Sequence, residues 1–288
     1  MIEHNAKKYY KLGLHIHTTL SDGKRDPEEV IQLYKENGYD AIAITDHWKC
    51  SQNGWAGDML LLAGAEYNKK ANDAIEGVFH ILGFGMAEDP QLERDTPAQP
   101  AIDAIRAAGG IAVLAHPAWS MNTVEQAKNL VGVEATEIYN AVSESHQSIR
   151  AYSPHFVEGC ANAGLYYRVL ATDDAHYYEG DDACMGWVMA QMESLSRENV
   201  LKAIRNGDFY ATQGPQLYVR REGNDVIVEC SHCKTISVMT NMTWRAGRVA
   251  RGEGITTHSY TLKEDETWFR VEVQDENGKY AWSNVFRV

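Results

Sequence analysis

The sequence predicts an α/β protein built on parallel strands whose carboxyl ends converge, followed by a smaller antiparallel β-rich segment. Three observations predict this. Short apolar runs alternate with helical segments over the first 212 residues, several of those runs end in His, Asp or Glu, and from about Gly214 apolar and polar residues alternate instead. Strand followed by helix gives parallel pairing. Donors on many strand tips meet only if the tips close around one mouth, which favours a barrel over an open sheet.

The first run, KLGLHIHTTLSDG, sets His15 and His17 one residue apart and Asp22 five further on. Alternate strand positions share a face, so both imidazoles project the same way, as suits two ligands of one metal ion. Alone, such a pair is better explained as hydrogen-bonded surface groups. A helix follows: Asp26 is its N-cap, Pro27 takes the first helical position, Glu28 and Glu29 complement the dipole, and Gly38 stops it past Asn37. The run DAIAITDH then delivers Asp46 and His47, and LLLAGAEY delivers Glu66. FHILGFG reverses the order, with His80 within or before its apolar run. The segment between Gly64 and Pro100 alternates weakly and reads as an irregular part of the barrel.

The helix PAIDAIRAAGG, stopped by Gly109 and Gly110, precedes IAVLAHP, which delivers His116. ATEIYN ends in Asn140. The helical stretch SHQSIRAYSPHFVEGCANAG, kinked or split by Pro154, precedes LYYRVLATDDAH, which delivers Asp173, Asp174 and His176. A last helix runs from a Ser196 cap to Gly207. Strand interiors do not need histidine, and a buried imidazole needs a partner. Six of the eleven histidines fall in these segments, so one shared metal cluster replaces six separate structural explanations.

Beyond the junction, LYVRREGNDVIVEC, KTISVMTN, YTLKED and TWFRVEVQDENGKYAWSNVFRV carry strand alternation and turn signals. The expected division is a parallel α/β unit carrying the candidate ligands over residues 1–213 and a small antiparallel β-sandwich-like unit over 214–288. Trp244, Trp268 and Trp282 are expected in its core, with a ligand surface as the alternative. Cys230 and Cys233 form a lone C-x-x-C, which reads as coincidence more than as half a zinc knuckle or a redox pair. Five scattered cysteines do not make a disulfide framework.

The net charge of −13 argues against general nucleic-acid binding, because counterion release at phosphates needs a basic face. A cationic metal pocket still attracts a phosphate. No apolar run reaches the roughly 18 residues of a membrane span, and MIEHNAKKYYK lacks the apolar core of a signal peptide. A soluble, cytoplasmic protein with no membrane partner is expected, its oligomeric state open.

The ordered set HIHTTLSDG, AITDH, GAEY, the FHILG histidine, LAHP and TDDAH resembles the polymerase and histidinol phosphatase (PHP) superfamily of metal-dependent hydrolases over about residues 11–180. The resemblance implies a distorted (β/α)7 TIM-like barrel with two or three divalent ions (Mn, Fe or Zn) at its C-terminal mouth. It implies that His15, His17, Glu66 and Asp174 bind a first ion, that Glu66 bridges to a second held by His80 and His116, and that Asp22, His47 and His176 hold a third. Imidazole and carboxylate donors suit such ions, which generate a hydrolytic nucleophile near neutral pH. The implied activity is hydrolysis of a small phosphomonoester or phosphodiester. The chain is too short for the polymerase branch. NGDFYATQGP and KYAWSNVFRV resemble a branch with a C-terminal β-domain that includes hydrolases of the carbaryl type, so carbamate or aryl carboxylic ester hydrolysis is the rival reading. A non-catalytic, metal-stabilised binding module is a third.

Further candidates surround the ligands. Asp46 and Asp173 are expected to orient ligand histidines, with loop capping the alternative for Asp46. Asn140 is expected to face the mouth and bond a substrate oxygen. Lys24, Arg25 and Arg150 follow ligand-bearing or mouth-facing strand ends and are candidate phosphate contacts, or else solvated surface charges. Trp119, close after His116, leans toward an organic leaving group.

Overall fold

Helix ends follow the caps written in the sequence. A computed structural model describes residues 1–68, 78–144 and 148–288. The chain begins with β1 (Ile2–His4), β2 (Lys7–Gly13), α1 (Pro27–Glu36) and β3 (Ala41–Ala43). In α1 the Glu29 carboxylate accepts the Asp26 backbone N–H at 3.3 Å, and Gly38 takes a left-handed φ of 72° just past the end. Next come β4 (Gly54–Ala56), β5 (Met59–Leu62), β6 (Gly64–Asn68), β7 (His80–Phe84), α2 (Ala98–Ala107), β8 (Ile111–Leu114), α3 (Val124–Lys128) and β9 (Ala135–Asn140). The irregular segment expected between Gly64 and Pro100 lies partly, at 69–77, outside the described residues.

The following elements are α4 (Pro154–Asn162), β10 (Arg168–Thr172), β11 (Trp187–Gln191), α5 (Arg197–Asn206) and β12 (Phe209–Thr212). Pro154 starts α4 rather than kinking it, because its missing N–H and fixed φ suit the first helical turn. Residues 145–147, where the sequence placed the beginning of that helix, lie outside the described residues. In α5 the Ser196 hydroxyl accepts the Asn199 N–H at 3.1 Å and Gly207 closes the helix at φ 81°. The tail is β13 (Leu217–Glu222), β14 (Asp225–Thr240), β15 (Val249–Thr261), β16 (Trp268–Gln274), β17 (Tyr280–Ser283) and β18 (Phe286–Arg287).

The fold is mixed α/β, but the single closed barrel is not formed. The strands make two sheets: one ordered β10-β9-β8-β7-β6, the other ordered β13-β14-β16-β17-β12-β11-β2-β3-β5-β4 with β1, β15 and β18 attached. Among the described residues the isolated parallel bridges Ile16↔Ala175 and His47↔Glu66 link the two sheets. Close to these bridges the backbone leaves strand geometry, with φ 58° at Trp48, next to the donor His47, and 52° at the donor Asp174. Nor is the first part wholly parallel: β7 runs antiparallel to both β6 and β8. That reversal explains the FHILGFG order, since the amino end of an antiparallel strand lies level with the carboxyl ends of parallel ones.

The tail is antiparallel as expected, yet hydrogen bonding does not separate it into a sandwich of its own. Its β17 pairs with β12, which pairs with β11, which pairs with β2, so tail and first strand share one sheet. Trp268 and Trp282 are buried, whereas Trp244 is exposed and contributes to no core. All five cysteines are free thiols.

One apolar cluster draws on both sheets, with Leu12 and Ala43 from β2 and β3 and Leu82, Val113 and Leu170 from β7, β8 and β10. Each such leucine or valine side chain contributes about 1.5–3 kcal/mol by leaving water. This floor fixes the strand tips, and the polar residues beyond the tips have nowhere to go but the rim.

Candidate metal centre

The nine expected donors come together. Among the described residues three groups of donor atoms lie within 4.8 Å of one another: His15, His17, Glu66 and Asp174; Glu66, His80 and His116; and His17, Asp22, His47 and His176. His15 and His17 follow β2, His47 follows β3, His116 follows β8 and Asp174 and His176 follow β10, while Glu66 lies in β6 and His80 opens β7. Glu66 and His17 each belong to two groups.

In the first group the Nε2 atoms of His15 and His17 are 3.1 Å apart and each stands 3.1 Å from Asp174 Oδ1. Glu66 Oε2 lies 3.4 and 3.2 Å from the same two nitrogens. Tetrahedral ligands about 2.1 Å from one cation are about 3.4 Å apart, so these separations fit a shared ion. Glu66 Oε1 meets His80 Nδ1 at 2.8 Å and His116 Nε2 at 3.2 Å. Asp22 reaches His176 Nε2 at 3.4 Å and His47 Nε2 at 3.7 Å.

A fit test comes from the atoms left without hydrogen bonds. Asp174 Oδ1 and His47 Nδ1 are buried and have no hydrogen-bond partner, although imidazole nitrogens or a carboxylate oxygen lie 3.1 to 3.3 Å away. Their lone pairs are not aligned donor to acceptor. Buried atoms of this kind cost free energy unless something else satisfies them, and a cation among N and O donors does so.

The electrostatics agree. Burial would raise the carboxyl of Glu66, but His80, His15 and His47 hold it well below the usual range, and His15, His17 and His176 do the same for Asp174. Burial works to lower His17, yet the carboxylates of Asp174 and Glu66 outweigh it and hold the imidazole at about 9. His116 and His176 are raised against burial by Glu66 and by Asp22, while burial prevails at His47 and lowers it. The site is built to hold positive charge.

Glu137, which the sequence reading passed over, braces this group. Its Oε1 accepts His15 Nδ1–H at 2.7 Å, and its Oε2 accepts the His116 backbone N–H at 2.7 Å and Asn140 Nδ2–H at 2.8 Å. His116 has φ 27°, a conformation rarely taken by a non-glycine residue, and the Glu137 bond helps hold it there. One signal was available: a carboxylate inside the otherwise buried run ATEIYN. His116 Nδ1 meets Ser120 Oγ at 3.1 Å, and His176 Nδ1–H donates to the Asp174 carbonyl at 2.6 Å.

Of the flanking candidates, Asp46 takes the loop-capping role given as its alternative, while Asp173 and Asn140 bond within the protein. Asp46 touches no histidine; it accepts from Thr18 N–H at 2.8 Å, Thr18 Oγ1–H at 2.6 Å and Ser21 Oγ–H at 2.6 Å, and so caps the loop after His17. Asp173 likewise holds structure, accepting Tyr34 Oη–H at 2.7 Å and the N–H groups of Cys184, Met185 and Gly186 at 2.8 Å. Burial pushes its carboxyl up to about 6 against those bonds. Asn140 is buried and bonded within the protein: it donates to Glu137 and, at 3.1 Å, to Asp174 Oδ2, and accepts from Ser143. It steadies ligands instead of offering itself to a substrate.

A cavity of about 590 Å³ opens onto the cluster, bordered by Trp119, Tyr177 and Ser148 among others. Lys24, Arg25 and Arg150 are not among its lining residues. Lys24 and Arg150 are exposed, and Arg25 lies over the Tyr178 ring at 5.6 Å.

Residues 13–179, more than half of the chain, match the family model described as PHP domain. No curated protein matches the sequence. A two-domain protein from Bacteroides vulgatus containing a predicted PHP-like metal-dependent phosphoesterase shares the fold at TM-score 0.56 and 14% identity, covering 100% of this chain and 97% of that one. Endonuclease Q, in a complex with a 27-mer duplex carrying an abasic lesion at its active site, matches at TM-score 0.51 and 11% identity, over 69% of this chain and 57% of its own. That neighbour corrects the exclusion of nucleic acid drawn from net charge. Whole-chain charge does not describe the local field at a site. Among the described residues no helix is long and apolar enough to cross a membrane.

Proposed function

We propose, from the premise that this chain belongs to the PHP domain family and is a metal-dependent hydrolase, that its substrate class is a phosphate ester. One observation carries the proposal: three overlapping donor groups joined through Glu66 and His17 at one cavity. Two or three divalent ions, Mn, Fe or Zn, would be held by His15, His17, Glu66 and Asp174, by Glu66, His80 and His116, and by Asp22, His47 and His176. When bound, such ions supply Lewis acidity toward a phosphoryl oxygen and a hydrolytic nucleophile near neutral pH.

The chain's own residues do the positioning. Glu137 fixes the His15 tautomer by accepting its Nδ1 proton, which turns Nε2 toward Glu66 and Asp174. Asn140 holds Asp174, and Asp46 fixes the loop that carries Asp22. Tyr34 and the 184–186 backbone anchor Asp173 and hence the turn bearing Asp174 and His176. We also assign the catalytic unit to residues 1–213 and a β-rich unit to 214–288, because every donor precedes Tyr177.

A second reading, hydrolysis of an aryl carboxylic or carbamic ester, is favoured by the exposed Trp119 ring at the cavity. Metal content by elemental analysis and turnover of p-nitrophenyl phosphate, bis(p-nitrophenyl) phosphate, a DNA duplex, p-nitrophenyl acetate and a naphthyl carbamate separate the two. Hydrolysis of phosphate esters that disappears in His17→Ala is expected. Turnover confined to the acetate and carbamate would overturn the proposal.

A further inference from the structure

Two aromatic rings border the donor cluster without serving the core. Trp119 and Tyr177 are each 38% exposed, and both line the cavity. Trp119 stands edge-on to His116 and His80, with ring centroids 5.0 and 5.5 Å away. Tyr177 lies beside His176, centroids 6.3 Å apart. One ring therefore accompanies the donor group of His80 and His116, the other that of Asp22 and His176. Neither belongs to an apolar cluster. Large rings left half in water at a reaction centre forgo burial, and an aromatic ligand restores it.

We propose that Trp119 and Tyr177 are specificity-determining walls that receive a planar aromatic leaving group, so that the preferred substrate is a phosphate ester whose leaving group carries an aromatic ring rather than an alkyl phosphate. The inference rests on the phosphoesterase reading and adds the substrate's second half. Trp offers a broad face for offset stacking, and Tyr a smaller one with a polar tip. With the phosphate at the donor cluster, a ring attached through one ester oxygen lies beside these walls.

The test uses full-length Mn-loaded protein and two probes that resist hydrolysis, phenylphosphonate and methylphosphonate, in titration calorimetry. Stacking of this kind is expected to make phenylphosphonate bind about 3- to 10-fold tighter than methylphosphonate. Trp119→Ala with Tyr177→Ala should bring that ratio close to one, while Trp119→Phe, which keeps a ring and guards against a folding artefact, should retain most of it. Equal affinities in the wild-type protein, or a ratio that survives the double substitution, would overturn the proposal while leaving the phosphoesterase reading intact. Failure of both phosphonates to bind a protein that still holds Mn would remove both.

Discussion

Glu137 Oε1 lies 2.7 Å from His15 Nδ1 although 122 positions separate the two residues. Both are fully buried, so the contact is a dry hydrogen bond between a carboxylate and a ligand imidazole. The same carboxylate holds the His116 backbone, and two donor groups depend on it.

Glu137→Gln is therefore expected to lower metal affinity or activity about 10- to 100-fold, the usual scale for groups that orient ligands. Competition against a chromophoric chelator measures it. Unchanged affinity would show that His15 orients itself.

Glu66→Gln should do more, because both its oxygens face imidazoles. Metal stoichiometry is expected to fall and turnover to drop more than about 100-fold. Elemental analysis after gel filtration reads the first effect, so a full metal complement would refute the bridging role.

Chelation should abolish turnover and lower thermal stability together. A ligand held at about 100 times its Kd stabilises by about 2.7 kcal/mol, and removal takes that away. Melting curves with EDTA and with restored Mn or Zn check this; a melting temperature indifferent to metal would count against buried cation sites.

Asp173→Ala is expected to destabilise by about 3 kcal/mol or more, since Tyr34 and three backbone N–H groups lose their acceptor inside the fold. Urea unfolding tests it. A loss below about 1 kcal/mol would mean that the turn carries itself.

Arg270→Met addresses the tail. The guanidinium is 1% exposed and pairs with Glu158 of α4 and Glu272 of β16, whose carboxylates are partly exposed, so removing it costs the charged hydrogen bonds while the carboxylates keep some contact with water. A cost of about 1.5–3 kcal/mol is expected in denaturant unfolding. Near-neutrality would indicate that water replaces the guanidinium at both carboxylates.

Much of the site was legible because ligand chemistry is local: a donor at the tip of an apolar run announces itself, as His116 does after IAVLA. Caps were legible for the same reason, as at Ser196 and Gly38. What escaped depends on partners distant in the chain. Nothing near Glu137 names His15, and nothing near Asp173 names Tyr34. Asp46 and Asp173 sit beside ligands in sequence, but their side chains turn to hydroxyl and backbone N–H donors of Thr18, Ser21, Tyr34 and residues 184–186, which sequence spacing does not show. The closed barrel failed at Trp48 and Asp174, where the backbone leaves strand geometry.

The pairing of β17 on β12 carries a last consequence. A chain cut after the junction would leave β12 with a bare row of amides and carbonyls, an invitation for another molecule to add its own strand. The C-terminal segment thus covers this edge, and a form shortened to residues 1–213 is expected to be recovered as aggregates even if its donors remain complete.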